Sequence, residues 1–224
     1  MIPGAALILC ALAAVSTTAT VEADRDATLF EESGGGLASG AGTAIFAGRT
    51  NSVDPVRRGL IHFTLPSRPP TKRPTPVAID GVAVVLTNTT QSNVSPREYR
   101  LHRVLADWGE GTSSSSGGSG AASTAGDATW IHAFYPDVYW MHNGAQFEGE
   151  PSARLVVEGP GVYRFEGDGL LLDVKRWAQD PSTNFGWILI GDETQPQTAR
   201  AFASREHPNA TFRPVLEVHY RTVP

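Results

Sequence analysis

The sequence predicts an all-β fold, a jelly-roll-like antiparallel β-sandwich with one short helix, and three observations carry that prediction. Apolar residues recur with a period of two in short segments, as where Ile61, Phe63 and Leu65 alternate with Leu60, His62 and Thr64, the pattern of a strand with one face more deeply buried. The 23 glycines and 16 prolines divide the 224 residues into pieces too short for long helices. One segment, LLLDVKRWAQDP from Leu170 to Pro181, has helical spacing, with Asp173 as a candidate cap, Val174, Trp177 and Ala178 on one face and Pro181 as terminator. Two packed antiparallel sheets are the simplest way to bury such strands.

Along the chain, the apolar run from Ala5 to Val15 has the length of a signal-peptide core and falls short of the roughly 20 residues that span a bilayer. Residues 1–19 are therefore expected to be a leader, cleaved after Ala14 or Ala19, although only the α-amino group supplies its positive charge. The product is expected outside the cell or at its surface, with no membrane span after cleavage. Cys10 would leave with the leader, so the mature chain would have no thiol or disulfide. Asn88, Asn93 and Asn209 stand in N-x-[ST] sequons, which make it a glycoprotein only in a eukaryotic secretory host.

Residues 20–224 are expected to form a single domain. TVEADRDATLFE reads as an extended opening segment, and the Gly-rich stretch at 33–42 reads as a flexible connector, because it lacks the G-K-[ST] of a phosphate-cradling loop. After the strand around Leu60, the prolines between Ser67 and Pro76 predict an exposed crossover, since proline cannot donate to a ladder. VAIDGVAVVLTN, REYRLHRVL, SARLVVE and VYRF read as antiparallel strands, NFGWILIG as a strand covered on both faces, and RPVLEVHYR as a closing strand within a sheet. Residues 112–124, almost all Ser, Gly, Ala and Thr, read as a flexible insertion with nothing to bury.

Charge and motifs exclude several functions. A net charge of -5 gives no clustered basic surface for displacing counterions from phosphates, so no nucleic-acid partner is expected. The chain has no G-x-S-x-G elbow, H-E-x-x-H helix or Walker loop, and no catalytic residue is assigned. The pairs Asp107 with Glu110 and Glu148 with Glu150 would serve a glycosidase only if they faced one another across a sugar. A polysaccharide-cleaving enzyme is thus the third reading.

The segment from Trp130 to Phe147, WIHAFYPDVYWMHNGAQF, concentrates rings without clear periodicity. A sugar-binding surface needs a ring face for stacking and polar groups for hydroxyls. Tyr135, Tyr139 and Trp140 would supply the rings, and His132, His142, Asp137, Asn143 and Gln146 the polar partners. Trp108 and Trp130 fit a core lid better. Asp107, Glu110 and Asp127 flank the insertion, whose ends must approach each other, and could hold a structural Ca²⁺.

DATLFE, IFAGRTN, RRGLIHFTL, LHRVLADWGEG, GDATW, LDVKRW, NFGWILIG, FASRE and RPVLEVHY occur in this order, and the ordered set resembles the exported DNRLRE-type domains over about residues 22 to 221. Those domains are related to carbohydrate-binding modules and disaggregatase-associated domains. The resemblance implies a jelly-roll sandwich in an extracellular or cell-surface protein, and binding of polysaccharide or glycoconjugate. A structural or adhesive envelope protein with protein partners is the alternative. Where the family has a GGDF-like phrase, this chain has NGAQF, so Gln146 stands without the acidic group.

Overall fold

The computed structural model describes residues 16–65, 77–92 and 95–222, so the start of the expected leader, the proline-rich crossover at 67–76 and Asn93 lie outside the described residues. Strands make up 43% of the described residues, among which there is one α-helix, and this establishes the all-β class. In chain order the strands are β1 (Ser16–Glu22), β2 (Arg25–Phe30), β3 (Leu37–Ser39), β4 (Ala44–Arg49), β5 (Val56–His62), β6 (Val77–Asn88) and β7 (Arg97–Arg103). There follow β8 (Ala121–Ala122), β9 (His132–Phe134), β10 (Val138–Tyr139), β11 (Ala153–Val157) and β12 (Gly161–Glu166). Helix α1 (Asp168–Gln179) precedes β13 (Trp187–Ile190), β14 (Arg200–Ala203) and β15 (Val215–Thr222).

Among the described residues all pairings are antiparallel; apart from the separate β9–β10 pair, they build two layers. In the first, β15 lies between β1 and β6, β12 and β14 pair with β6, and β4 pairs with β14. In the second, the order β3-β2-β5-β13-β7-β11 carries β8 at its edge against β3. β4 turns the corner between them: Ala44 to Ala47 pair with β14, while Gly48 and Arg49 pair with β5. Ser16 to Ala19, inside the expected leader, pair with Val218 to Arg221. Cleavage after Ala14 would leave that strand whole, and cleavage after Ala19 would halve it.

The main core lies between the layers, because alternate residues of each strand point inward. Val82, Val84, Leu216 and Val218 of the first layer meet Leu101, Trp187 and Leu189 of the second. Helix α1 closes this core with Leu170, Val174 and Trp177, whose ring lies 4.5 Å from that of Trp187. Asp173 is not its cap. The N-cap is Gly167, and Asp173 lies buried within the helix, accepting from Trp187 Nε1 at 2.9 Å and Ser152 Oγ at 2.5 Å, with Arg103 Nε at 3.0 Å.

A second core lies on the outer face of the second layer, where Ala27, Leu29, Leu60, Ile188 and Ile190 point away from the first layer and are roofed by residues from 104–147. That roof is why all four residues of β13 are buried, as the unbroken apolar run predicted. Two corrections concern the Gly- and Ser-rich segments. The stretch at 33–42 contains β3, the insertion at 112–124 contains β8, and the two pair. Ser113 O accepts from Gly40 N at 3.0 Å and Ala41 N at 2.8 Å. These chains are held by backbone bonds between closely approaching main chains: a Cβ on Gly40 would lie 1.7 Å from Glu110 O. The sequon at Asn88 is buried, and its amide donates to Gly159 O at 2.8 Å, so the folded chain has no room there for a glycan.

Candidate functional site

The roof over the second core has an underside and an outer surface, and the residues expected to bind ligand divide between them. On the underside, Trp108 donates from Nε1 to Phe185 O at 2.9 Å beneath the Arg25 guanidinium, 4.5 Å from its ring. Trp140, expected as a stacking platform, is only 6% exposed and donates from Nε1 to Thr129 O at 2.9 Å. Its ring is therefore a structural member of the roof; a large apolar ring with a satisfied N–H gains more from burial than from display. Trp130 is half-buried, with Arg58 stacked 4.8 Å from its ring. Arg58 also donates to Gly144 O at 2.7 Å and clasps both carboxylate oxygens of Glu193 at 2.7 and 2.9 Å.

Asp127 fixes the neck of the insertion. It is fully buried, with Oδ2 accepting from Thr124 N at 2.5 Å and Oδ1 from Ser113 N at 3.3 Å, while the Thr112 and Thr124 hydroxyls meet at 2.9 Å. The ends do approach each other, held by these hydrogen bonds. Asp107 instead pairs with Arg25 at 2.8 Å, and Glu110 accepts from Asp26 N at 2.8 Å. Asp107, Glu110 and Asp127 therefore do not converge on one site. Glu148 and Glu150 are similarly engaged with Arg103 at 3.0 Å and Arg154 at 3.8 Å.

On the outer surface, the β9–β10 hairpin stacks three of the expected residues. His132 lies 4.5 Å from the Tyr139 ring and 5.1 Å from the Tyr135 ring. It is 4% exposed, so it is a support and not a surface partner, and its Nδ1 meets Thr129 Oγ1 at 2.9 Å. Burial lowers its pKa, with Asp137 opposing, which keeps the imidazole neutral at pH 7. Tyr139 is 64% exposed and Tyr135 half-buried. Asp137, His142 and Asn143 are exposed and Gln146 is half-buried. Val138 and Met141 add exposed apolar surface beside them.

Sequence reasoning missed a carboxylate cluster. One oxygen each from Asp26, Glu110 and Glu206 lies within 4.8 Å of the others, and burial raises the pKa of all three carboxyls, Asp26 well above the usual range. Separations of 84 and 96 residues hide such a meeting from any local motif. A cavity of about 340 Å³, lined by Val174, Trp177, Tyr220, His62 and Asn184, shares no residue with the roof. Leu65, which also lines it, adjoins chain outside the described residues, and no role is assigned to the cavity. No protein-family model matches the chain, and no curated protein matches it.

Proposed function

We propose that the protein is a secreted, non-catalytic β-sandwich that binds polysaccharide or glycoconjugate at the cell surface or in a matrix, through the outer surface of the roof. The observation that carries this reading is the exposed Tyr139 ring, backed by the buried His132 and flanked by Tyr135. A sugar's C–H face stacks on such a ring, and Asp137, His142 and Asn143 are exposed nearby in the chain to meet hydroxyls. The ring is already propped in place, which lowers the entropy lost on binding. The order of the sequence phrases that resemble the DNRLRE-type domains points to the same ligand class.

Affinity electrophoresis on a panel of neutral and acidic polysaccharides tests this. Tyr139→Ala combined with Tyr135→Ala is expected to weaken retention by about tenfold or more with an unchanged melting temperature, as for a central aromatic anchor. Retention equal to that of the parent on a matrix that holds it would remove the assigned surface. Trp140→Ala is unsuitable, because it opens the second core.

A second reading, a structural or adhesive envelope protein, is favoured by Val138, Tyr139 and Met141, which are 49%, 64% and 72% exposed. An exposed apolar row of this kind fits a protein partner. Met141→Lys separates the two: it abolishes capture of a protein partner and leaves polysaccharide retention intact. New reducing ends on incubation with matrix glycans would instead indicate cleavage.

A further inference from the structure

Asp26 projects from β2 toward the space between the layers, since its neighbours Ala27 and Leu29 alternate onto the second core. It is 1% exposed. Its Oδ2 accepts from Arg205 N at 2.7 Å, while its Oδ1 is buried with no hydrogen-bond donor. Glu206 presents the same pattern: Oε1 pairs with Arg205 Nη1 at 2.7 Å, and Oε2 is buried with no donor. Glu110 Oε1 accepts from Asp26 N at 2.8 Å and faces Arg205 Nε at 3.3 Å. Two of the carboxylates thus share the Arg205 guanidinium, and the third accepts from the same residue's backbone N–H. The other nearby cations are engaged elsewhere, Arg25 by Asp107 and Trp108 O and Arg213 by His207 O and Glu22.

We propose that Asp26, Glu110 and Glu206 bind a Ca²⁺ ion that ties β2, the start of the roof and the loop after β14 together. Two buried oxygens without donors require a cation or a proton, because an unpaired buried carboxylate oxygen carries a large desolvation cost. Of three negative charges Arg205 balances one, and a divalent ion balances the other two. An all-oxygen set selects a hard cation. The oxygens lie within 4.8 Å of one another. Oxygens on opposite sides of Ca²⁺ are about 4.6–5.2 Å apart, whereas those around Mg²⁺ reach only about 4.2 Å. Separations up to 4.8 Å leave room for Ca²⁺, whose coordination is flexible, whereas Mg²⁺ demands near-ideal octahedral geometry and dehydrates reluctantly, so Ca²⁺ is the better fit.

The test uses the whole chain, stripped with a chelator and titrated calorimetrically with CaCl₂ and then MgCl₂, with tryptophan-sensitised Tb³⁺ luminescence as a second readout. Saturable uptake of a single Ca²⁺, with a higher melting temperature and much weaker Mg²⁺ uptake, is expected. Glu206→Gln, at a partly exposed side chain that tolerates change, should weaken Ca²⁺ by about tenfold or more, and Asp26→Asn should abolish uptake. Two results would overturn the proposal. No Ca²⁺ uptake by the parent at millimolar concentration would mean that the carboxylates share a proton. Uptake that Glu206→Gln leaves unchanged would place the ion elsewhere.

Discussion

Ala145 holds a backbone conformation that suits glycine, with φ at 78°, directly after Gly144 at φ 81°. The left-handed region costs a residue with a Cβ about 1–2 kcal/mol. Ala145→Gly removes that cost, gives up a buried methyl and adds entropy to the unfolded chain, so the stability change should stay within about 1 kcal/mol. Gly144→Ala should behave differently, because its Cβ would fall 2.4 Å from Arg58 Nη1 and 2.9 Å from the Trp130 ring. It should cost about 2 kcal/mol or more, read from urea melts of both variants. In the sequence, NGAQF stood out only for the acidic group that Gln146 lacks. The turn and its strain were not legible, because backbone angles are set by the packing of Arg58 and Trp130 from elsewhere. The opposite fates of Tyr139 and Trp140 were equally hidden. In a segment without periodicity, the partner that settles the matter is Thr129 O, eleven residues before Trp140.

Among elements, α1 was the most legible in position and the least legible in purpose. The spacing placed Val174 and Trp177 on the buried face correctly, but Ala178, expected beside them, is exposed, and Leu170 packs inward instead. Asp173 resembled a cap because aspartate is favoured at N-caps, yet its partners are Ser152, Trp187 and Arg103, which come to it only through the fold. Asp173→Ala leaves the Trp187 indole N–H, the Ser152 hydroxyl and the Arg103 guanidinium short of an acceptor at the closed end of the main core. We expect a loss of about 2–4 kcal/mol, seen as a lower urea midpoint at constant slope. A loss below about 0.5 kcal/mol would mean that water replaces the carboxylate. The Gly- and Ser-rich pieces show the converse limit. Their composition signals flexibility because it offers no side chain to bury, while the β3–β8 pairing that fixes them uses main-chain groups common to every sequence.

At the scale of the molecule, the two sheets and their shared core were readable from alternation and turns, but the roofed outer face of the second sheet was not, since it depends on where residues 104–147 come to rest. That roof brings a pH dependence with it. His102, on β7, is 5% exposed beneath the roof, with Nδ1 2.9 Å from Glu148 O and its ring 5.3 Å from that of Phe147. Burial lowers its pKa; the bond to Glu148 O opposes this, and Arg100, Arg154 and Arg58 reinforce it. Burial lowers that of His132 within the roof as well, against the opposing charge of Asp137. The unfolded chain binds these two protons near pH 6.5, whereas the folded chain binds them only at lower pH. Their contribution to stability is thus complete above about pH 6.5 and is lost as pH falls through the folded values. The carboxyls of Asp26, Glu110 and Glu206 are shifted upward and act in the opposite sense, so the informative quantity is a difference. Between about pH 7.5 and about pH 5 the parent should lose stability relative to a His102→Gln, His132→Gln double variant, in which the carboxyl contribution is the same. Ring-proton NMR should also show both histidines titrating below the ordinary histidine range. Parallel stability curves for parent and variant would mean that the roof opens to admit the protons without cost, and would remove the histidines as the source of acid sensitivity.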